Sequence, residues 1–155
     1  LPILALPDFA AALPAGPLIG LDPGSKRIGL AVSDATRLIA TPLIVIARKR
    51  FADDAARVFA AYDERGCVGL VVGLPLNMDG TSGPAAQSAR AFARNLLALR
   101  DVPLLLWDER LSTSEAARAL IEADASRARR AEVVDKVAAA ITLQSALDAL
   151  RARMP

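Results

Sequence analysis

Hydrophobic positions fall into short runs and two periodicities along this chain, and their order predicts an α/β domain. Leu18 to Leu21 is an apolar run closed by Asp22. After the turn-forming Pro23-Gly24-Ser25-Lys26 a second strand-like segment follows, in which bulky Ile28, Leu30 and Val32 alternate with Gly29, Ala31 and Ser33. Such a strand offers one bulky face and one face small enough for a closely packed helix, and Leu43 to Ala47 supplies a third strand. Ala55, Val58, Phe59 and Tyr62 then recur at helical spacing. Val68 to Leu74 is a continuous apolar run of the kind buried on both faces of a sheet. A second amphipathic helix begins near Pro84 and carries Ala89, Phe92, Ala93, Leu96 and Leu97, and Pro103 to Trp107 forms the fifth strand.

Ser112 and Glu115 have capping-box spacing for a third helix through Leu120 and Ile121. Asp124 to Arg130 reads as a charged connection. A final helix is expected from about Glu132 to Arg151, with Val134, Val137, Ala138, Ile141 and Ser145 on one side. The predicted product is one mixed five-stranded sheet flanked by helices, with no internal repeat. Residues 1–17, with four prolines and no basic leader, read as an N-terminal extension in which Phe9 and Leu13 pack as a short turn, ahead of a single domain over 18–155.

Composition narrows the chemistry. No apolar stretch approaches the ~20 residues of a membrane span, so no membrane role is expected. The net charge is only +2, which confines any polyanion site to a local patch. The lone Cys67 beside an apolar run reads as a reduced thiol in a cytoplasmic protein. There is no histidine, which removes His-dependent triads and the usual zinc sites and leaves carboxylate chemistry. Gly24 to Gly29 has Walker A glycine spacing, but Leu30 stands where lysine is needed, and no G-x-G-x-x-G turn follows the first strand. With four Phe, one Tyr and one Trp, an extended base-stacking platform is disfavoured.

Asp22 is the focal residue. A carboxylate closing a buried strand is costly unless it is satisfied by turn amides or holds a cation. Its candidate partners are Asp108 or Glu109 at the end of strand five and Asp135 in the last helix. In an extended strand adjacent residues face opposite sides, so only one of Asp108 and Glu109 can aim at Asp22, and Glu109 is the choice. Ion pairing with Arg110 or favourable placement in a first helical turn would explain the partner acids without chemistry. Three converging acids would instead suit hard divalent cations, and paired metals promote phosphodiester hydrolysis. The loop Asn77 to Gly83 follows the central strand, where α/β sheets commonly bind ligands, and Arg127, Arg129 and Arg130 could meet a phosphate backbone.

Four segments carry a resemblance. Leu21 to Asp34 (LDPGSKRIGLAVSD), Val72 to Gly80 (VGLPLNMDG), Asp108 to Thr113 (DERLST) and Asp135 to Ile141 (DKVAAAI) resemble, in this order, the YqgF (RuvX) family of pre-16S ribosomal RNA nucleases, which look like Holliday-junction resolvases. The resemblance runs from about Leu18 to Leu150 and implies a ribonuclease H-like fold with a Mg²⁺- or Mn²⁺-dependent nuclease site. It assigns Asp22, Glu109 and Asp135 as catalytic metal ligands and sets Lys26, Arg27 and Arg110, with Asn77 in the loop, where substrate phosphates approach. Resolvases of this kind carry an acid at the end of the fourth strand. This chain has Gly73-Leu74-Pro75 there, so Glu109 on the next strand must substitute. The implied role is maturation of the 5′ end of 16S ribosomal RNA on the pre-ribosome, by a monomer or homodimer. The rivals are resolution of branched DNA and non-catalytic nucleic-acid binding in ribosome biogenesis or transcription.

Overall fold

The structure, a computed structural model, describes residues 2–112 and 127–153, with side chains at 2–111 and 134–153. Strands β1 (Leu18–Pro23), β2 (Arg27–Ser33), β3 (Ala40–Ala47), β4 (Gly69–Leu74) and β5 (Leu104–Asp108) form one sheet in the order β3-β2-β1-β4-β5. The first three are an antiparallel meander, whereas β4 and β5 join β1 in parallel. That mixture follows from the connections: short turns link β1 to β3, and helices link β3 to β4 and β4 to β5.

Helices α1 (Leu6–Ala12), α2 (Phe51–Glu64), α3 (Pro84–Leu99) and α4 (Arg127–Ala152) cover the two faces. The bulky side of the sheet, with Ile19, Leu21, Ile28, Leu30, Leu70 and Val72, packs on Ala55, Val58 and Tyr62 of α2 and Phe92 and Leu96 of α3. Opposite them Leu18, Ala31, Val71 and Leu105 meet Phe9 of α1 and Ala139, Leu143 and Leu147 of α4. The small side of β2 is the one α4 lies against. A Cβ on Gly20 would stand 2.8 Å from Leu143 Cβ, and one on Gly29 would stand 2.0 Å from the Asp135 carbonyl oxygen.

Two boundaries and the N-terminal segment differ from the sequence reading. The third strand starts at Ala40, before Leu43, because Pro42 is tolerated on an edge strand, and a register shift between Leu30 and Ala31 pairs them with Ile44 and Pro42. The last helix begins at Arg127, so the back of the supposed charged connection is helical. Arg, Ala and Glu are all good helix formers and nothing in that stretch breaks a helix. The N-terminal segment does more than form a packing turn: Phe9 on α1 is fully buried, Leu4 bridges β5, and Arg37 donates to the carbonyls of Pro14 and Gly16, each at 3.0 Å. The helix expected through Leu120 and Ile121, and the side chains of Arg127, Arg129 and Arg130, lie outside the described residues. No described helix is long and apolar enough to cross a membrane.

Candidate active site

The parallel strands β1, β4 and β5 end on the same edge of the sheet, and Asp22 lies there on the α4 side. Its antiparallel partner on β2 is Gly29. One step beyond the registered pair Leu21 and Val72, its neighbour on β4 is Gly73, which in turn pairs with Trp107 on β5. Paired residues in a sheet point to one face. Asp22 is therefore the only one of three adjacent cross-strand positions with a side chain, and the glycine on each side leaves room for another element.

Both spaces are filled by the other two candidate acids. Over Gly29 runs the backbone of α4 at Asp135. Over Gly73 lies the carboxylate of Glu109, whose Oε1 would be 2.5 Å from a Cβ placed there. Glu109 is not in the strand. It opens a 3₁₀ turn (Glu109–Ser112) just after β5, which redirects its side chain toward Asp22. The alternation expected of an extended Asp108-Glu109 pair is thus replaced by a division of labour. Asp108 accepts hydrogen bonds from the Arg110 backbone N–H at 3.0 Å and Nη2 at 2.7 Å, which holds its pKa below the usual carboxylate value. Glu109 instead shares a hydrogen bond with Asp22.

That shared bond requires a proton. Burial, the bond to Asp22 and the charges of Asp22 and Asp108 push the Glu109 carboxyl up to about 8, so the pair retains a proton at neutral pH. Asp22 is also raised: burial dominates, the Glu109 bond opposes it and the nearby Asp135 charge adds to it. Asp135 accepts from Arg27 Nε at 2.5 Å. Among the described residues no three acids, cysteines or histidines stand close enough to form a ready-made metal cluster. The arrangement is two acids in contact and a third held beside them by a guanidinium.

Asn77 Nδ2 donates to Thr81 Oγ1 at 2.9 Å and so shapes its own loop, which turns at Gly80 with φ +88. Arg110 reaches from Asp108 to the Met78 carbonyl at 3.2 Å, tying this loop to the 3₁₀ turn. Lys26 is exposed at the β1–β2 turn. A cleft of about 510 Å³ opens beside Asp22, lined by Pro23, Gly24, Ser25, Pro75 and the start of α3 at Pro84, Ala85 and Ser88.

Sequence reasoning missed the supports of the site. Arg48 Nη1 donates to the Gly24 carbonyl at 2.7 Å and its guanidinium lies over Phe92, fixing the turn after Asp22. Ser145 on α4 accepts from Trp107 Nε1 at 3.0 Å and donates to the Leu111 carbonyl at 3.3 Å, clamping the turn that carries Glu109. Neither contact has a local signal, since the partners are far apart in the chain.

Glu109→Gln is expected to flatten the pH dependence of stability in the metal-free protein. A folded-state pKa raised from 4.5 to about 8 stabilises fully below the lower value and is lost as pH rises through the higher one. Asp22 contributes with the same sign. The wild type should therefore lose thermal stability across that window, and the Gln variant, which remains a neutral donor, should overtake it toward about pH 9. Parallel melting curves in chelator at acid, neutral and alkaline pH check this.

The fold is that of the ribonuclease H-like resolvases. The chain superposes on Thermus thermophilus RuvC in complex with a Holliday junction substrate with a TM-score of 0.57 and 18% identity, covering 90% of this chain and 96% of that one. Its sequence makes the assignment finer: the chain belongs to the RuvX family, whose model, described as Holliday junction resolvase, matches residues 16–149. A relative from Rhodospirillum rubrum is 57% identical over 157 aligned positions, covering 100% of this chain and 98% of that protein. One from Cereibacter sphaeroides is 60% identical over 147, covering 94% and 92%. Both carry the name "Putative pre-16S rRNA nuclease".

Proposed function

We propose that this protein is a Mg²⁺- or Mn²⁺-dependent endonuclease that trims precursor 16S ribosomal RNA at its 5′ end, on the pre-ribosome and in the cytoplasm. The observation that carries the reading is the packing of the Glu109 carboxylate over Gly73, alongside Asp22, where the parallel strands end. Membership of the family and the names of its members support the substrate. The buried, reduced Cys67 is consistent with the compartment.

The donor set fits a hard divalent cation. Two acids that must share a proton, beside a third that is held by a guanidinium, form an anionic site whose present counter-charges are replaceable. Asp22, Glu109 and Asp135 are the residues that would hold the ion. When bound, it supplies charge stabilisation at the phosphate and an activated water. The chain's own residues do the rest. As a ligand Glu109 would have to be deprotonated, and because burial and Asp22 raise its pKa, binding would be favoured by rising pH. Arg27, on leaving Asp135, and the exposed Lys26 meet the substrate phosphates from the β1–β2 turn. Arg110 ties the Asn77 loop to the turn that carries Glu109.

The family model's description keeps branched DNA as a second reading. Side-by-side cleavage of precursor 16S RNA and a four-way DNA junction, with Mg²⁺ and with Mn²⁺, decides between them. RNA cleavage at least tenfold faster is expected. Faster junction cleavage would overturn the RNA assignment. RNA binding without cleavage in either metal would identify a non-catalytic binding factor.

A further inference from the structure

The place next to Asp22 on β4 has no side chain of its own, yet it is full. A Cβ on Gly73 would lie 2.5 Å from Glu109 Oε1 and 3.3 Å from both Cγ and Cδ of the same residue. Heavy atoms do not approach that closely without one moving. The atoms in the way are the tip of a side chain rather than backbone, so the tip would move. Its base would stay, because Trp107 and the Leu111 carbonyl are both bonded to Ser145 on α4.

We propose that Gly73 is a positioning residue for metal binding and cleavage: its bare Cα is the slot in which the Glu109 carboxylate is held against Asp22, and a carboxylate carried by β4 itself can take that slot instead. The inference rests on the metal-dependent reading above. Its geometric basis is independent of the substrate. Residue 73 is alongside Asp22 on the neighbouring strand and faces the same way. An aspartate there would start from that same Cβ and extend one further C–C bond, ~1.5 Å, into the volume that the Glu109 carboxylate occupies. The two acids are therefore alternatives: one strand or the other can deliver the group, but not both at once.

The test is a set of full-length variants, Gly73→Ala, Glu109→Ala, the double Gly73→Ala/Glu109→Ala, and Gly73→Asp/Glu109→Ala. Each is measured for melting temperature without metal, for Mn²⁺ affinity by calorimetry, and for kcat and KM on precursor RNA. Gly73→Ala should weaken Mn²⁺ binding and lower kcat at least tenfold, with KM for RNA changing less than threefold. Its melting temperature should fall in the wild-type background and not in the Glu109→Ala background, a coupling that remains readable if the single variant folds poorly. Gly73→Asp/Glu109→Ala should bind Mn²⁺ at least tenfold more tightly than Glu109→Ala. An alanine that costs the same in both backgrounds, a Gly73→Ala protein with wild-type Mn²⁺ affinity, or no recovery in the aspartate variant would each overturn the slot. If the Mn²⁺ pattern holds while neither wild type nor any variant cleaves RNA, the slot stands and the substrate assignment falls. If wild type binds no Mn²⁺, both fall.

Discussion

Replacing Asp22 with Asn is expected to lower kcat on precursor RNA by about a thousandfold or more, a loss of roughly 4 kcal/mol of transition-state stabilisation, while leaving the protein folded. Asn matches Asp in shape and keeps an acceptor for Glu109, so the packing between Gly29 and Gly73 is undisturbed. What disappears is the charge, in the one side chain that stands between both other acids. The loss should appear in kcat rather than KM, because Lys26, Arg27 and the Asn77 loop, the groups proposed to meet the RNA, are left unchanged. Metal-free stability should be unchanged or higher near neutral pH, since burial of a carboxylate opposes folding. Undiminished cleavage by a pure preparation of this variant would contradict the mechanism.

Gly29→Ala should be the most damaging small substitution outside the acids. Its Cβ would meet backbone rather than a movable side chain: the Asp135 carbonyl oxygen at 2.0 Å, its carbon at 2.5 Å and the Lys136 nitrogen at 3.0 Å. Helix α4 cannot yield locally, because Ala139 and Leu143 continue the same contact along β1. The whole helix must lift, opening the core around Leu143 and Leu147 and carrying Asp135 away from Asp22. A loss of about 2–4 kcal/mol follows, or roughly 10 °C in melting temperature for a domain of this size, together with loss of cleavage. Gly66→Ala is the control. It has a positive φ of 64 but nothing within 4 Å, so it should cost only about 1 kcal/mol. Calorimetry of the two variants separates close approach from backbone strain, and a change under about 2 °C at Gly29 would contradict the packing.

Much of this architecture was legible in the residues. The bulky and small alternation from Ile28 to Ser33 does mark a two-faced strand, with α4 on its small side. The uninterrupted apolar run does form a strand buried at every position from Gly69 to Leu74, and Pro84 does open a helix. The site was legible only as a set of residues. Asp22, Glu109 and Asp135 could be named as candidates, but what brings Glu109 and the α4 backbone at Asp135 to either side of Asp22 is cross-strand register, which places Gly73 and Gly29 there and has no local signature. Strand alternation puts Asp108 and Glu109 on opposite faces, whereas the chain leaves the strand at Glu109 and the 3₁₀ turn does the aiming. In the sequence alone, the glycine near the end of β4 stands where an acid is missing. In the fold it is the space that the acid from β5 fills.

Cleavage by this site requires a divalent cation to displace the proton between Asp22 and Glu109 and the guanidinium on Asp135. The most direct measurement is anomalous diffraction from crystals soaked in Mn²⁺ above the Glu109 pKa of about 8. The predicted result is Mn²⁺ density in contact with Asp22 and shared with Glu109 and Asp135, with Arg27 turned away from Asp135. Empty density at saturating Mn²⁺, with Glu109 still bonded to Asp22 and Arg27 still on Asp135, would contradict it.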